Sequence, residues 1–309
     1  MFKSRTLSKN IALIYQAGKV RLGFLIMACS LAGIAVSPTS SLTAMEIFAL
    51  AVYVLVASST SGAFNQWYER DIDAIMDRTK GRPFVTHELS PTNTWNVWLI
   101  IISSLALYAT YQVSNLEATF YLFAGIVTYG IIYTVWLKRK TWMNIVIGGL
   151  SGSFAVLVGS AAAGNTFAPA PLILSVVLFL WTPPHFWALA ISYKDEYAKA
   201  DIPMLPVVYG DLVTSKAIFW HTLVLVILSW SLFFYGMSWI YLFFAILGGV
   251  NFLYRATQMM VIFQEHDDDE KAITSPYLGR DLGMKTFFAS IIHLGLLLLG
   301  AMFDAMIFA

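Results

Sequence analysis

Charge is scarce in this 309-residue chain: 12% of its residues are Asp, Glu, Lys or Arg, against 58% hydrophobic ones. Soluble domains carry roughly 25% charged residues, so a water-facing surface of ordinary extent is excluded and lipid is the expected solvent. Cysteine is almost absent. The single Cys29 sits in an apolar run, which excludes a disulfide framework or a thiolate metal cluster and leaves a small packing residue. A basic excess is missing too, with 19 Lys and Arg against 18 Asp and Glu. That balance argues against a nucleic-acid partner, because phosphate binding needs clustered bases unopposed by acids. Gly-rich phosphate loops, zinc-ligand spacings and Ser-His-Asp patterns are also lacking.

What the chain has is long apolar runs. A membrane-spanning helix needs about 20 mostly apolar residues, and nine such segments are expected near 22–38, 43–66, 93–113, 118–137, 143–163, 171–190, 217–236, 239–260 and 286–307. The connections alternate between short, nearly uncharged ones and charged ones at 67–92, 138–142, 191–216 and 261–285. In this arrangement all 19 basic residues fall on one side, and only Glu46, Glu117 and Asp304 among the acids fall on the other. Loops rich in Lys and Arg stay cytoplasmic, which places the N-terminus and the charged loops there. The fold expected is an all-α integral membrane bundle of nine helices, one domain over 1–309, with 1–21 as a basic leader.

The leader also invites a signal-peptide reading, with 22–36 as its apolar stretch and Leu42-Thr43-Ala44 as a cleavage site. Its long polar lead-in favours retention as a first span. Trp95, Trp98, Trp136, Trp142, Trp181, Trp187 and Trp239 fall near span ends, as an interfacial belt would. Gly148 and Gly152 predict close helix packing.

Chemistry concentrates where the second span ends. Asn65, Glu69, Asp73 and Asp77 recur every four residues, a spacing that aligns them in one stripe if the helix continues. Asn65 lies within the apolar stretch, where a polar side chain is costly and marks a functional site by default. A row of hard oxygens suits Mg²⁺, which takes one or two carboxylates and fills its other positions with water and phosphate oxygens. Arg78, Lys80 and Arg82 follow at once, as donors for a diphosphate.

A second acidic group, Asp195, Glu196 and Asp201, follows the sixth span on the same side. Two acid clusters among bases suit two Mg²⁺ ions clamping a diphosphate. Between them, Pro183 and Pro184 predict a helix break beside His185, tolerated in a membrane only against protein or a wet cavity. His185 reads first as a capped interfacial histidine, and otherwise as a general base or an axial ligand to a haem substrate. Lys138 and Arg139 read as phosphate ligands or snorkelling anchors. His221 and His293 read as helix contacts, His293 with some claim on a cavity, and the run Glu265–Glu270 as a solvated loop.

At these residues the sequence resembles the UbiA superfamily of intramembrane prenyltransferases and, within it, the protohaem IX farnesyltransferases. The acidic pattern carries the broader likeness. The narrower one rests on Arg-Asp-Ile-Asp (70–73), Arg-Thr-Lys (78–80), Trp-Leu-Lys-Arg (136–139), Asn-Ile-Val-Ile-Gly-Gly (144–149), Trp-Thr-Pro-Pro-His-Phe-Trp-Ala-Leu-Ala (181–190) and Ile-Pro-Met-Leu-Pro-Val (202–207). It covers roughly residues 15–305. Three positions depart from the family pattern: Glu69 stands where Asp is usual, Val20 replaces the Pro of Lys-Pro-Arg, and Asp201 takes a position usually Gly.

The resemblance implies a UbiA-type bundle around a central cavity in a bacterial inner membrane, with farnesyl diphosphate and haem b as substrates. It implies Mg²⁺ held by Asn65, Glu69, Asp73, Asp195 and Glu196, with Asp77 and His185 also catalytic. Diphosphate binding falls to Arg78, Lys80, Arg82, Lys138, Arg139 and Lys199. Haem A synthase or oxidase assembly proteins are implied partners. Two alternatives stay open: a superfamily member with another acceptor, such as a quinone precursor, and an ion-coupled transporter or assembly factor.

Overall fold

Inside lipid a backbone must satisfy its hydrogen bonds within its own segment, so apolar runs of this length fold as helices. The computed structural model describes residues 7–265 and 276–308, and among these only helices and turns occur. In chain order they are α1 (Leu7–Ala17), α2 (Val20–Ala35), α3 (Ala44–Tyr68), α4 (Arg70–Asp73), α5 (Thr94–Val113), α6 (Leu116–Val127), α7 (Asn144–Gly148), α8 (Leu150–Ala162), α9 (Pro169–Ser192), α10 (Lys194–Lys199), α11 (Leu205–Ser231), α12 (Trp239–Glu265) and α13 (Pro276–Phe308). Eight segments of the described chain are long and apolar enough to cross a bilayer, and the bent pair α1–α2 makes a ninth. All nine expected spans find a helix. The described part of the 265–270 run is Glu265 alone, and Lys3 and Arg5 of the leader also lie outside the described residues.

The leader is more than a tail. α1 meets α2 at 56° through Lys19, whose φ of 49° is left-handed. Leu13 and Ala17 of α1 pack with Phe84 and Leu89 of the first charged connection and with Trp95 of α5. Leu7, Ile11 and Ile14 are left facing outward.

The closest helix approach is not at the expected glycines. Gly33 of α2 lies against the Val156 carbonyl of α8, and Gly159 of α8 lies against the Ser30 carbonyl of α2, each too near for any Cβ. Gly152 instead has open space around it on the cavity wall, and Gly148 faces the Tyr133 ring. The expected close packing thus holds at Gly148, where a Cβ would meet the Tyr133 ring at 2.9 Å, and fails at Gly152.

Two further expectations are corrected. α9 runs unbroken through Pro183 and Pro184. Pro184 has no N–H for the carbonyl of Leu180, and His221 on α11 interacts with that backbone instead. Neighbouring side chains of this kind are what let prolines persist within membrane helices. Likewise Trp95, Trp181 and Trp187 are buried, while Trp98, Trp136 and Trp239 are exposed in the manner of a belt. The buried three face other helices.

The fourth span changes pitch as it nears the charged end. Thr128–Leu137 is a π-helix, and the Lys138 N–H donates to the Tyr133 carbonyl, five residues back, at 3.0 Å. Such segments cluster at functional sites.

Candidate active site

The carboxylate stripe is shorter than its spacing promised. α3 ends at Tyr68, Glu69 is its cap, and α4 lasts one turn to Asp73. The chain then turns through 74–89, so Asp77 falls off the stripe and pairs with Lys80 at 2.6 Å, both side chains largely in solvent. That hydrogen bond holds the Asp77 carboxyl below its ordinary range.

Asn65, Glu69 and Asp73 remain, each at most 2% exposed. Each of the three side chains faces a cation. Lys19 Nζ donates to Asn65 Oδ1 at 2.5 Å and to the Tyr129 hydroxyl at 3.2 Å. Lys138 Nζ lies 2.5 Å from Glu69, and Arg82 Nη1 lies 2.5 Å from Asp73. The amide of Asn65 is oriented from behind: its Nδ2 donates to Thr134 Oγ1 at 2.9 Å, while the Thr134 hydroxyl donates to the Tyr129 carbonyl at 2.8 Å. Three acceptors from the second span thus meet three cations from the leader, the first charged connection and the end of the fourth span.

Charges this deeply buried persist only when paired, and removing one partner from such a pair costs about 3–5 kcal/mol. One oxygen is nevertheless free. Glu69 Oε1 is buried without a hydrogen-bond partner. Buried hard oxygens with an unused acceptor fit a hard cation such as Mg²⁺. Among the described residues no three His, Cys, Asp or Glu side chains close on one point. A bound cation would therefore take one or two carboxylates and complete its shell with water and phosphate oxygens, the habit of Mg²⁺.

The second acidic group is built differently. Asp195 is exposed on the short helix α10, and Lys199 is exposed at its end. Glu196 accepts from the Arg78 N–H at 3.3 Å, which ties the two charged connections together. Arg78 also reaches the Tyr197 hydroxyl at 3.5 Å and lies over Tyr193, as does Arg280. Asp201 is a helix terminator: its φ is 55°, and Ile202 N and Asp201 N donate to the carbonyls of Tyr197 and Ala198, closing α10 in a Schellman motif. That geometry is why Gly is usual there.

Arg139 lies outside the inner cluster. It grips Asp71 with two bonds of 2.7 Å, and this fork holds the Asp71 carboxyl below its ordinary range.

Beside the buried cluster lies a cavity of about 700 Å³. Its lining includes Lys19, Tyr129 and Tyr133 at the charged end, Val54, Leu122, Gly152 and Val158 deeper in, and Trp181, His185 and Phe287 from α9 and α13. His293, by contrast, is fully buried between α12 and α13 beside Gly248 and Phe252 and does not line it. Lys19, Tyr129 and Tyr133 were not singled out from sequence as site residues. Their signals were the Lys-Val-Arg start of the first span and a tyrosine five residues before Lys138.

The sequence matches the UbiA prenyltransferase family over residues 26–302. It is 41% identical over 301 residues to protoheme IX farnesyltransferase 2 of Paramagnetospirillum magneticum, covering 97% of this chain and 99% of that protein. It is 38% identical to protoheme IX farnesyltransferase of Rickettsia akari, covering 82% of each. The fold matches that of digeranylgeranylglyceryl phosphate synthase, with a TM-score of 0.74, 15% identity and coverage of 96% and 99%. A UbiA homolog from Archaeoglobus fulgidus bound to DMAPP and Mg²⁺ matches with a TM-score of 0.65, 17% identity and coverage of 92% and 98%. The buried acid–base cluster and the cavity beside it sit within the matched residues but for Lys19, Arg21, Leu22 and Leu25 at the start of the first span, and the chain belongs to the UbiA prenyltransferase family.

Proposed function

We propose that this enzyme transfers a farnesyl group from farnesyl diphosphate to a vinyl group of haem b, giving haem O. The observation that carries this reading is the junction at Lys19, where a buried cluster of three oxygen side chains and three cations opens on an apolar cavity. An allylic diphosphate needs both halves: positive charge on the departing diphosphate and a dry chamber for the cation left behind.

Asn65, Glu69, Asp73, Asp195 and Glu196 would hold Mg²⁺, expected as two ions, whose charge would stabilise the leaving oxygens. Lys19, Arg78, Arg82 and Lys138 line the same end and neutralise the remainder, with Lys80, Arg139 and Lys199 at its outer edge. The allylic C–O bond breaks with its electron pair going to diphosphate. The vinyl carbon then bonds to the farnesyl carbon, and water adds to the resulting benzylic-type cation with loss of a proton. The charged loops face the cytoplasm of a bacterial inner membrane.

The test is purified protein with farnesyl diphosphate, Mg²⁺ and haem b, with products read by mass spectrometry. A hydroxyethylfarnesyl haem that fails to form with EDTA is the expected result. Transfer to a quinone precursor but not to haem overturns the acceptor assignment.

A further inference from the structure

His185 is held more tightly than a packing histidine requires. Trp181 stacks on one face at 4.2 Å and Phe287 on another approach at 4.5 Å, with Phe186 edge-on at 5.0 Å. Ser290 Oγ lies 2.7 Å from Nδ1. Ser290 is itself anchored, since its carbonyl accepts from Trp181 Nε1 at 2.8 Å. Stacking sets the plane of the ring, and the Ser290 contact sets which edge carries Nδ1.

The hydrogen bonds also choose the tautomer. A serine hydroxyl has one proton, and that of Ser290 lies 2.6 Å from the Phe287 carbonyl, which can only accept. Ser290 Oγ must therefore accept from His185, so the ring proton is on Nδ1. Nε2 is left as an unprotonated lone pair on a residue that lines the cavity. Its neighbour Thr182 is no competitor, because that hydroxyl donates to the Leu178 carbonyl at 3.0 Å. A neutral imidazole whose far N–H is fixed by an oxygen is how proteins prepare histidine to bind a metal.

We propose that His185 Nε2 is the axial ligand to the iron of the tetrapyrrole acceptor, and that Ser290 positions it. Iron accepts imidazole readily, and coordination fixes the macrocycle's height and tilt so that one vinyl edge faces the allylic carbon. Specificity for a metallated acceptor then comes from the protein's own nitrogen. This assignment rests on haem being the acceptor.

The protein is reduced with haem b bound, without farnesyl diphosphate, and the iron–imidazole stretch is read by resonance Raman. The stretch is expected in the wild type, lost in His185→Ala, restored there by free imidazole, and shifted but kept in Ser290→Ala. Separately, kcat/KM for haem b is compared with that for iron-free protoporphyrin IX. The wild type should favour haem by roughly 10–100-fold, the scale for losing support at a metal site, and His185→Ala should bring the two acceptors near parity. A wild type without the stretch, a stretch that survives His185→Ala, or equal use of iron-free acceptor overturns the proposal. Should the wild type farnesylate neither tetrapyrrole, the acceptor reading fails, while the Raman result still decides whether His185 binds iron.

Discussion

The two acidic segments look alike as sequence and differ as structure. Asn65, Glu69 and Asp73 are buried, and each faces a cation. Asp195 stands exposed on a one-and-a-half-turn helix, and Glu196 is only half-buried, against a backbone N–H. The first segment is part of what holds the bundle's charged end together; the second is available to be recruited. Substitutions in the first should therefore disturb folding and catalysis together, whereas replacing the exposed Asp195 of the second should disturb catalysis alone.

Asp73→Asn tests this hardest. It removes a charge from the proposed leaving-group site and leaves Arg82 in a buried place without its partner. Farnesyl transfer should fall roughly 100-fold or more, the scale of losing a preorganised electrostatic group, and thermal stability in detergent should fall with it. Lys138→Met strips Glu69 of its ammonium and should cost about 3–5 kcal/mol of stability. The double variant with Glu69→Gln should recover much of that stability but none of the activity; a double variant as unstable as the single would show that the pair is not the source.

Asp195→Asn should lower transfer by about 10-fold, in the range for weakened metal sites, be partly rescued by raised Mg²⁺, and leave the melting temperature unchanged. A large loss of stability there would erase the contrast between the segments. Smallest of all, Asp201→Gly should raise stability by about 1 kcal/mol by relieving a left-handed non-glycine residue, with transfer unaltered.

The spans were legible in the sequence because lipid imposes a simple requirement on length and polarity, and every expected segment has its helix. The deep part of the first acidic stripe was legible for the same reason: Asn65 is an anomaly in an apolar run. Asp77 was misplaced because a four-residue spacing states where side chains go only while the helix lasts, and nothing in the spacing announces that α4 stops at Asp73. Lys19 reads in the sequence as no more than one charge of the basic leader, since its burial depends on a left-handed elbow that hydropathy does not register. Trp181 and Ser290 were invisible as a pair because 109 residues separate the atoms that meet.

The π segment at 128–137 has a consequence for how this site can change over time. A residue added to or removed from a helix rotates everything beyond it by about 100°, and the wide turn absorbs one residue that an α-helix would not. Deleting Ile132 should tighten 128–137 toward ordinary pitch with Lys138 kept beside Glu69, whereas a residue deleted from an α-helical run would swing everything beyond it. The site is thus insulated at this point from a change in residue count, and an alignment gap there would carry less meaning than one in an α-helical run.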